Sequence, residues 1–95
     1  MRITWDERKD QANRRKRAVS FATAALVFED PNCISIQDRI ERGEYRWQTL
    51  GLVRGMVLLL VAHTWVDVDG EGHVRIISAR QATRRERHLY ETGPE

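Results

Sequence analysis

From position 33 to 80 the apolar residues of this 95-residue chain recur with a period of two, and glycine-bearing turns interrupt that stretch three times. The turns are Arg42-Gly43-Glu44, Arg54-Gly55 and the run 67–72, DVDGEG. Period-two segments joined by turns this short can only be neighbouring antiparallel strands. The expected strands are 33–38 at an edge, 45–53, 56–66 as the most apolar and therefore central one, and 73–80. Along 73–80, alternation puts Val74, Ile76 and Ser78 on one face and Arg75, Ile77 and Ala79 on the other.

Before position 33 the period is helical. Arg2 to Trp5 reads as a short strand, and Asp6 as the N-cap of a helix ending near Lys16. That helix is almost wholly polar. It can pack only through Ala12 and the stems of long side chains, so it should lie loosely across the sheet. After a break at Arg17-Ala18, Ser20 caps a second helix with the stripe Phe21, Ala24, Ala25 and Phe28, which Asp30-Pro31 ends. A third helix follows the last strand, where Thr83 and Glu86 form a T-x-x-E capping box. The sum is a single α+β domain over 1–95: two N-terminal helices, an antiparallel sheet and a C-terminal helix.

The net charge is only +2, but its signs are segregated. Arg14, Arg15, Lys16 and Arg17 form one basic block. Arg75, Arg80, Arg84, Arg85 and Arg87 form a second, interrupted only by Glu86. If the two meet in space they make a surface for a polyanion such as RNA. The longest apolar run, 56–62, is far short of the roughly 20 residues of a membrane span. No apolar leader follows Met1, and cytoplasm is the expected location. Cys33 is the single cysteine, so neither an internal disulfide nor a thiolate zinc cluster is available. DVDGEG opens like a calcium loop, but its twelfth position is Ser78 rather than a carboxylate. No metal or other cofactor is expected.

If the polyanion is RNA and the chain cuts it, cleavage without a metal uses the 2′-hydroxyl as nucleophile, and needs fixed cations and one or two proton-transfer groups. The candidate cations are Arg80 at a strand end, Arg46, and Lys16. Arg46 could instead pair with Glu44, and Lys16 could simply favour the helix dipole. His63 is the candidate for proton transfer, although a lone strand histidine is usually a satisfied structural residue. His73 and His88 read as surface residues. Arg84, Arg87 and Tyr90 are candidates for holding RNA, Tyr90 either by stacking on a base or as a core contact. Trp5, Trp47 and Trp65 read as core and interface.

The chain also resembles a known family along nearly its whole length. Trp5-Asp6-Glu7, Lys9, Asn13 and Lys16, then Val19-Ser20-Phe21, Ala24-Ala25, Val27-Phe28 and Asp30-Pro31 are similar to the opening of the BrnT toxins of bacterial type II toxin–antitoxin pairs. YRWQTLG at 45–51, Ala62-His63-Thr64, RIISAR at 75–80, and Arg84, Arg87 and Tyr90 continue the match. The resemblance implies a RelE-like microbial ribonuclease fold, endoribonuclease activity on RNA, and a BrnA-like antitoxin partner in a toxin–antitoxin hetero-oligomer. It departs at Arg17-Ala18, where the family usually has His-Gly. If that histidine transfers protons, this chain is weakened or inactive as a nuclease. The alternative is a module that binds nucleic acid or a partner without catalysis.

Overall fold

The computed structural model describes residues 1–93. Its elements are β1 (Arg2–Trp5), α1 (Glu7–Arg17), α2 (Phe21–Ala24), a 3-10 segment (Ala25–Glu29), β2 (Ile34–Glu41), β3 (Glu44–Val53), β4 (Val57–Val68), β5 (Glu71–Gln81) and α3 (Arg84–Thr92). The strands form one sheet in the order β1-β5-β4-β3-β2, with β4 central and β2 at an edge. All three hairpins turn through an X-Gly pair with positive φ at both residues, at 42–43, 54–55 and 69–70. That is the backbone of the two-residue turn whose twist matches the strands it joins.

The sheet is mixed rather than purely antiparallel, because β1 pairs parallel with β5 over Arg2↔His73 to Trp5↔Ile76. β5 also differs from simple alternation. Its register against β4 slips between Ala62 and His63, so that Ala62 faces Ser78 and His63 faces Ile76. Ile77 is the extra residue of this bulge. The phase therefore reverses, and Ala79 joins Val74 and Ile76 in the core while Ser78 is exposed. A second consequence is that Arg75 and Arg80, five residues apart, lie on the same face of the sheet.

The core on the α1–α2 face is Phe21, Ala24 and Val27 packed on Leu59, Val61, Val74, Ile76 and Ala79. Val27 is fully buried in place of Phe28. The switch to 3-10 geometry explains this, since side chains three apart eclipse there and 21, 24 and 27 fall in line. Gly51 lets this segment approach the sheet; a Cβ there would stand 2.6 Å from Val27 Cβ. The opposite face buries Leu50, Leu58 and Leu60, and α3 contacts β3.

α1 is not loose. Ala12 is exposed, and the helix is held instead by two buried polar side chains. Asp10 accepts from the Phe21 main-chain N–H at 2.8 Å. Asn13 donates to the Val19 and Ala79 carbonyls at 2.8 and 2.9 Å and accepts from the Ala79 N–H at 3.2 Å. β1 has ended by then, so the Asn13 carboxamide takes the place of a strand partner on the open edge of β5.

Candidate functional site

The Asn13–Ala79 bonds fix where the first basic block lies. Lys16 and Arg17 follow Asn13 by three and four residues, an advance of about 5–6 Å along the helix. Strand residues rise roughly 3.3 Å each, so these cations reach the level of Gln81, two residues beyond Ala79. α3 begins at Arg84, three residues further on. The C-terminal end of β5 thus gathers Lys16 and Arg17 on one side and Arg80, Arg84 and Arg87 on the other. Lys16, Arg17, Arg84 and Arg87 are exposed. Arg54, in the β3–β4 turn, lies at this same end of the sheet.

Arg80 is the ordered member of this rim. Its guanidinium makes two parallel bonds to Glu86, at 2.8 and 2.9 Å. Glu86 is itself fixed, because its carboxylate accepts from Thr83 N–H at 2.9 Å while its own N–H donates to Thr83 Oγ1 at 3.2 Å. The capping box that starts α3 therefore also aims Arg80. The hydrogen bonds from Arg80 are the main reason that Glu86 is held below the usual carboxylate range. Bonding to Glu86 in turn holds Arg80 above its ordinary value. Both stay charged near neutrality, and the guanidinium keeps N–H groups free for an anion.

Arg46 and His63 are not brought to this rim. Arg46 pairs across β4 with Thr64, and Arg80 with Leu60. Four residues of strand, roughly 13 Å, separate the two levels. At the Arg46 level, Glu44 receives two bonds from Arg75 at 2.9 and 3.0 Å and lies 3.8 Å from Arg46 Nη2. Arg46 Nε is buried without a partner among the described residues.

His63 is 3% exposed and lies on the opposite face from Arg80. Its Nδ1 sits 2.9 Å from the Thr64 carbonyl, which can only accept, so Nδ1 carries the proton. Nε2 then accepts from Thr49 Oγ1 at 2.7 Å, and Thr49 in turn accepts from Ser35 Oγ at 2.7 Å. Burial pushes the imidazole down from its ordinary value, against a smaller upward pull from the Thr64 carbonyl. A neutral histidine with both nitrogens occupied is a core residue. Phe28 packs edge-on against it at 5.0 Å. Trp65, read as core or interface, is 42% exposed beside this cluster.

Tyr90 is a tether. Its hydroxyl donates to Asp30 at 2.5 Å, and Asp30 also accepts from the Leu52 and Asn32 N–H groups. The bond to Asp30 pushes the phenol up to about 12. Thr83 and Glu86 read in the sequence as a helix cap and not as what aims Arg80, and Asn13 only as part of the family resemblance. Only the T-x-x-E pair carried a local signal. Among the described residues no group of three or more His, Cys, Asp or Glu could hold a metal ion, and no helix is long and apolar enough to cross a membrane.

A family model described as the ribonuclease toxin BrnT of type II toxin–antitoxin systems matches residues 5–86. The crystal structure of the Brucella abortus ribonuclease toxin BrnT has the same fold, with a TM-score of 0.67 and 24% identity; the match covers 88% of this chain and 99% of that one. Among curated proteins none matches.

Proposed function

Because the chain belongs to the BrnT family of ribonuclease toxins of type II toxin–antitoxin systems, we propose that it cuts RNA at the cationic rim around the end of β5. What supports this is that both basic blocks lie at the same end of the sheet, one tied to β5 through Asn13 and the other through the Glu86 capping box. RNA cleavage here needs no metal. The 2′-hydroxyl gives its proton to water or hydroxide, in place of a side-chain base, and attacks phosphorus; the P–O5′ bond breaks as O5′ takes a proton from the rim, and the products end in a 2′,3′-cyclic phosphate and a 5′-hydroxyl. Arg80, aimed by Glu86, stabilises the charge that builds on the phosphoryl oxygens. Arg84 and Arg87 hold flanking phosphates. Lys16 is the one rim cation able to give a proton to the leaving oxygen, since guanidinium keeps its own. Arg17 holds phosphate and leaves the reaction slow.

This reading includes a RelE-like fold, a cytoplasmic site of action, and a BrnA-like antitoxin that silences the toxin in a hetero-oligomer by covering the rim. Growth of cells after induction of this chain, with and without its antitoxin, tests it together with sequencing of RNA ends. Arrested growth with new 2′,3′-cyclic ends, relieved by the antitoxin, is the expected result. Charge reversal at Arg84 and Arg87 together should weaken the complex by tenfold or more, on the order of the worth of an interface arginine. Unchanged affinity would move the antitoxin elsewhere. Arg17 itself favours a second reading, binding without cleavage. Salt-sensitive RNA binding with no new ends would decide for it.

A further inference from the structure

We infer that the cavity between α1 and the β3–β4 turn binds one base of the RNA, with adenine preferred, and that Gln81 reads it. The cavity has a volume of about 290 Å³, at the small end for ligand pockets and suited to a single ring system. The inference rests on the ribonuclease reading for its substrate class, but its evidence is separate. Ala18, which follows Lys16 and Arg17, lines the cavity on one side, and Arg54 on another. A phosphate held by these cations would leave its base beside the opening. The walls are apolar, from Val53, Val57, Leu59 and the 79%-exposed Met56.

The polar groups are few and point to a base rather than to a hydrocarbon anchor. Gln81 lines the cavity, and its carboxamide has no hydrogen-bond partner among the described residues. Only its main-chain carbonyl is used by Arg80, at 3.2 Å. Ser20 Oγ donates to Thr23 Oγ1 at 3.0 Å, which leaves the Thr23 hydroxyl proton free. An aliphatic side chain from a protein partner would strip water from the amide and return no bond. A base edge offers an adjacent donor and acceptor, and the glutamine amide matches those of adenine in a bidentate pair. Flexible Met56 can close over the flat face.

The test uses the full chain and two readouts. In the first, a mixed-sequence RNA is digested and the ends are sequenced for the chain as it stands and for Gln81→Ala. Cleavage next to adenine should dominate and its advantage should fall about tenfold in the variant. In the second, amide resonances of Ser20, Thr23 and Gln81 are followed while AMP, the other nucleoside monophosphates or a short oligoadenylate are added. AMP should shift them most among the monomers, and Gln81→Ala should abolish the difference. Tighter binding of the oligonucleotide assigns the site to RNA; AMP binding as tightly as the oligomer would make it a free-nucleotide site and overturn the RNA assignment. RNA cut with the same base profile by both proteins overturns the inference and leaves the ribonuclease reading standing. No cleavage, with oligoadenylate still bound through Gln81, supports the base site while the cleavage reading fails. If no nucleotide moves these resonances but an acidic, leucine-bearing peptide does, the cavity is a protein anchor and the inference is wrong.

Discussion

The two ends of the sheet carry the same bond in different company. Arg75 meets Glu44 at one end, and Arg80 meets Glu86 at the other, each through two bonds of 2.8–3.0 Å on the same face. At the Glu44 end a second arginine, Arg46, crowds the same carboxylate from 3.8 Å. That carboxylate is 41% exposed, and among the described residues no main-chain group fixes it. At the Glu86 end the carboxylate is 22% exposed and is held as well by the Thr83 main chain. Arg84 and Arg87 lie on the same helix, and Lys16 and Arg17 end α1 at this end of the sheet, all four exposed. A bidentate pair by itself stabilises little at a surface. What separates the two ends is a rigid anion that aims one guanidinium, and a surplus of cations beyond it.

The change with the largest expected effect gives the rim a proton-transfer group. Arg17→His should raise RNA cleavage by on the order of a hundred- to ten-thousand-fold, the range of one general acid or base. RNA affinity should stay level or fall slightly. Turnover and binding are measured for both proteins across pH, and the new activity should follow a histidine titration. Equal turnover with the same pH profile would mean that position 17 takes no part in proton transfer.

The next test sets the two ends directly against each other. Arg80→Ala should lower cleavage by on the order of a hundredfold or more, as removal of a donor to developing charge does. Arg46→Ala should lower it by about fivefold at most, since Arg46 stands roughly 13 Å of strand away from the rim. Thermal melts of both variants separate catalysis from stability. If the Arg46 variant loses the more activity, the rim has been assigned to the wrong end.

Much of this arrangement was legible before any coordinates. The hairpins were, because Arg54-Gly55 and its counterparts demand positive φ and the strands between them alternate. The α3 start was, because Thr83 and Glu86 are local to each other. The Ile77 bulge was not, and it decides which way Arg80 faces. Nor was the parallel pairing of β1, whose four residues hold too little pattern to choose a neighbour. Asn13 reads in sequence as one more polar residue on a polar helix. Its partner Ala79 lies 66 positions away, and only the fold reveals that a carboxamide ends the strand edge. His63 reads as a candidate acid or base because Thr49, the residue that occupies Nε2, belongs to another strand.

A smaller effect tests how firmly α3, and with it the rim, is tied down. Tyr90→Phe removes the bond to Asp30 and should cost about 1.5–3 kcal/mol at neutral pH, as for hydrogen bonds to charged groups. The pH dependence has a definite sign. The folded phenol is raised to about 12 from 10.0, so its contribution is complete below pH 10 and is lost as pH climbs toward 12. Chemical denaturation between pH 8 and 12 should therefore show the native chain losing stability faster than the Phe variant, with the two converging at the alkaline end. Parallel curves would mean that the phenol is not held by Asp30.

The smallest expected effect belongs to Ala18, where the rim and the backbone meet. Ala18 ends α1 in the left-handed region, at φ 61° and ψ 29°, and its N–H still bonds the Arg14 carbonyl at 3.0 Å. A Cβ in that conformation costs roughly 1–2 kcal/mol, which glycine does not incur. Glycine also frees the unfolded chain, returning about 0.4–1 kcal/mol of the gain. Ala18→Gly should thus stabilise the fold by up to about 1 kcal/mol, measured as a higher midpoint in urea with an unchanged slope. Cleavage should hardly move, since the bond from Ala18 N–H to Arg14 is kept and Asn13 still fixes the register of α1. A gain in cleavage as large as that expected from Arg17→His would show that backbone strain at the end of α1, and not the missing imidazole, limits the rim.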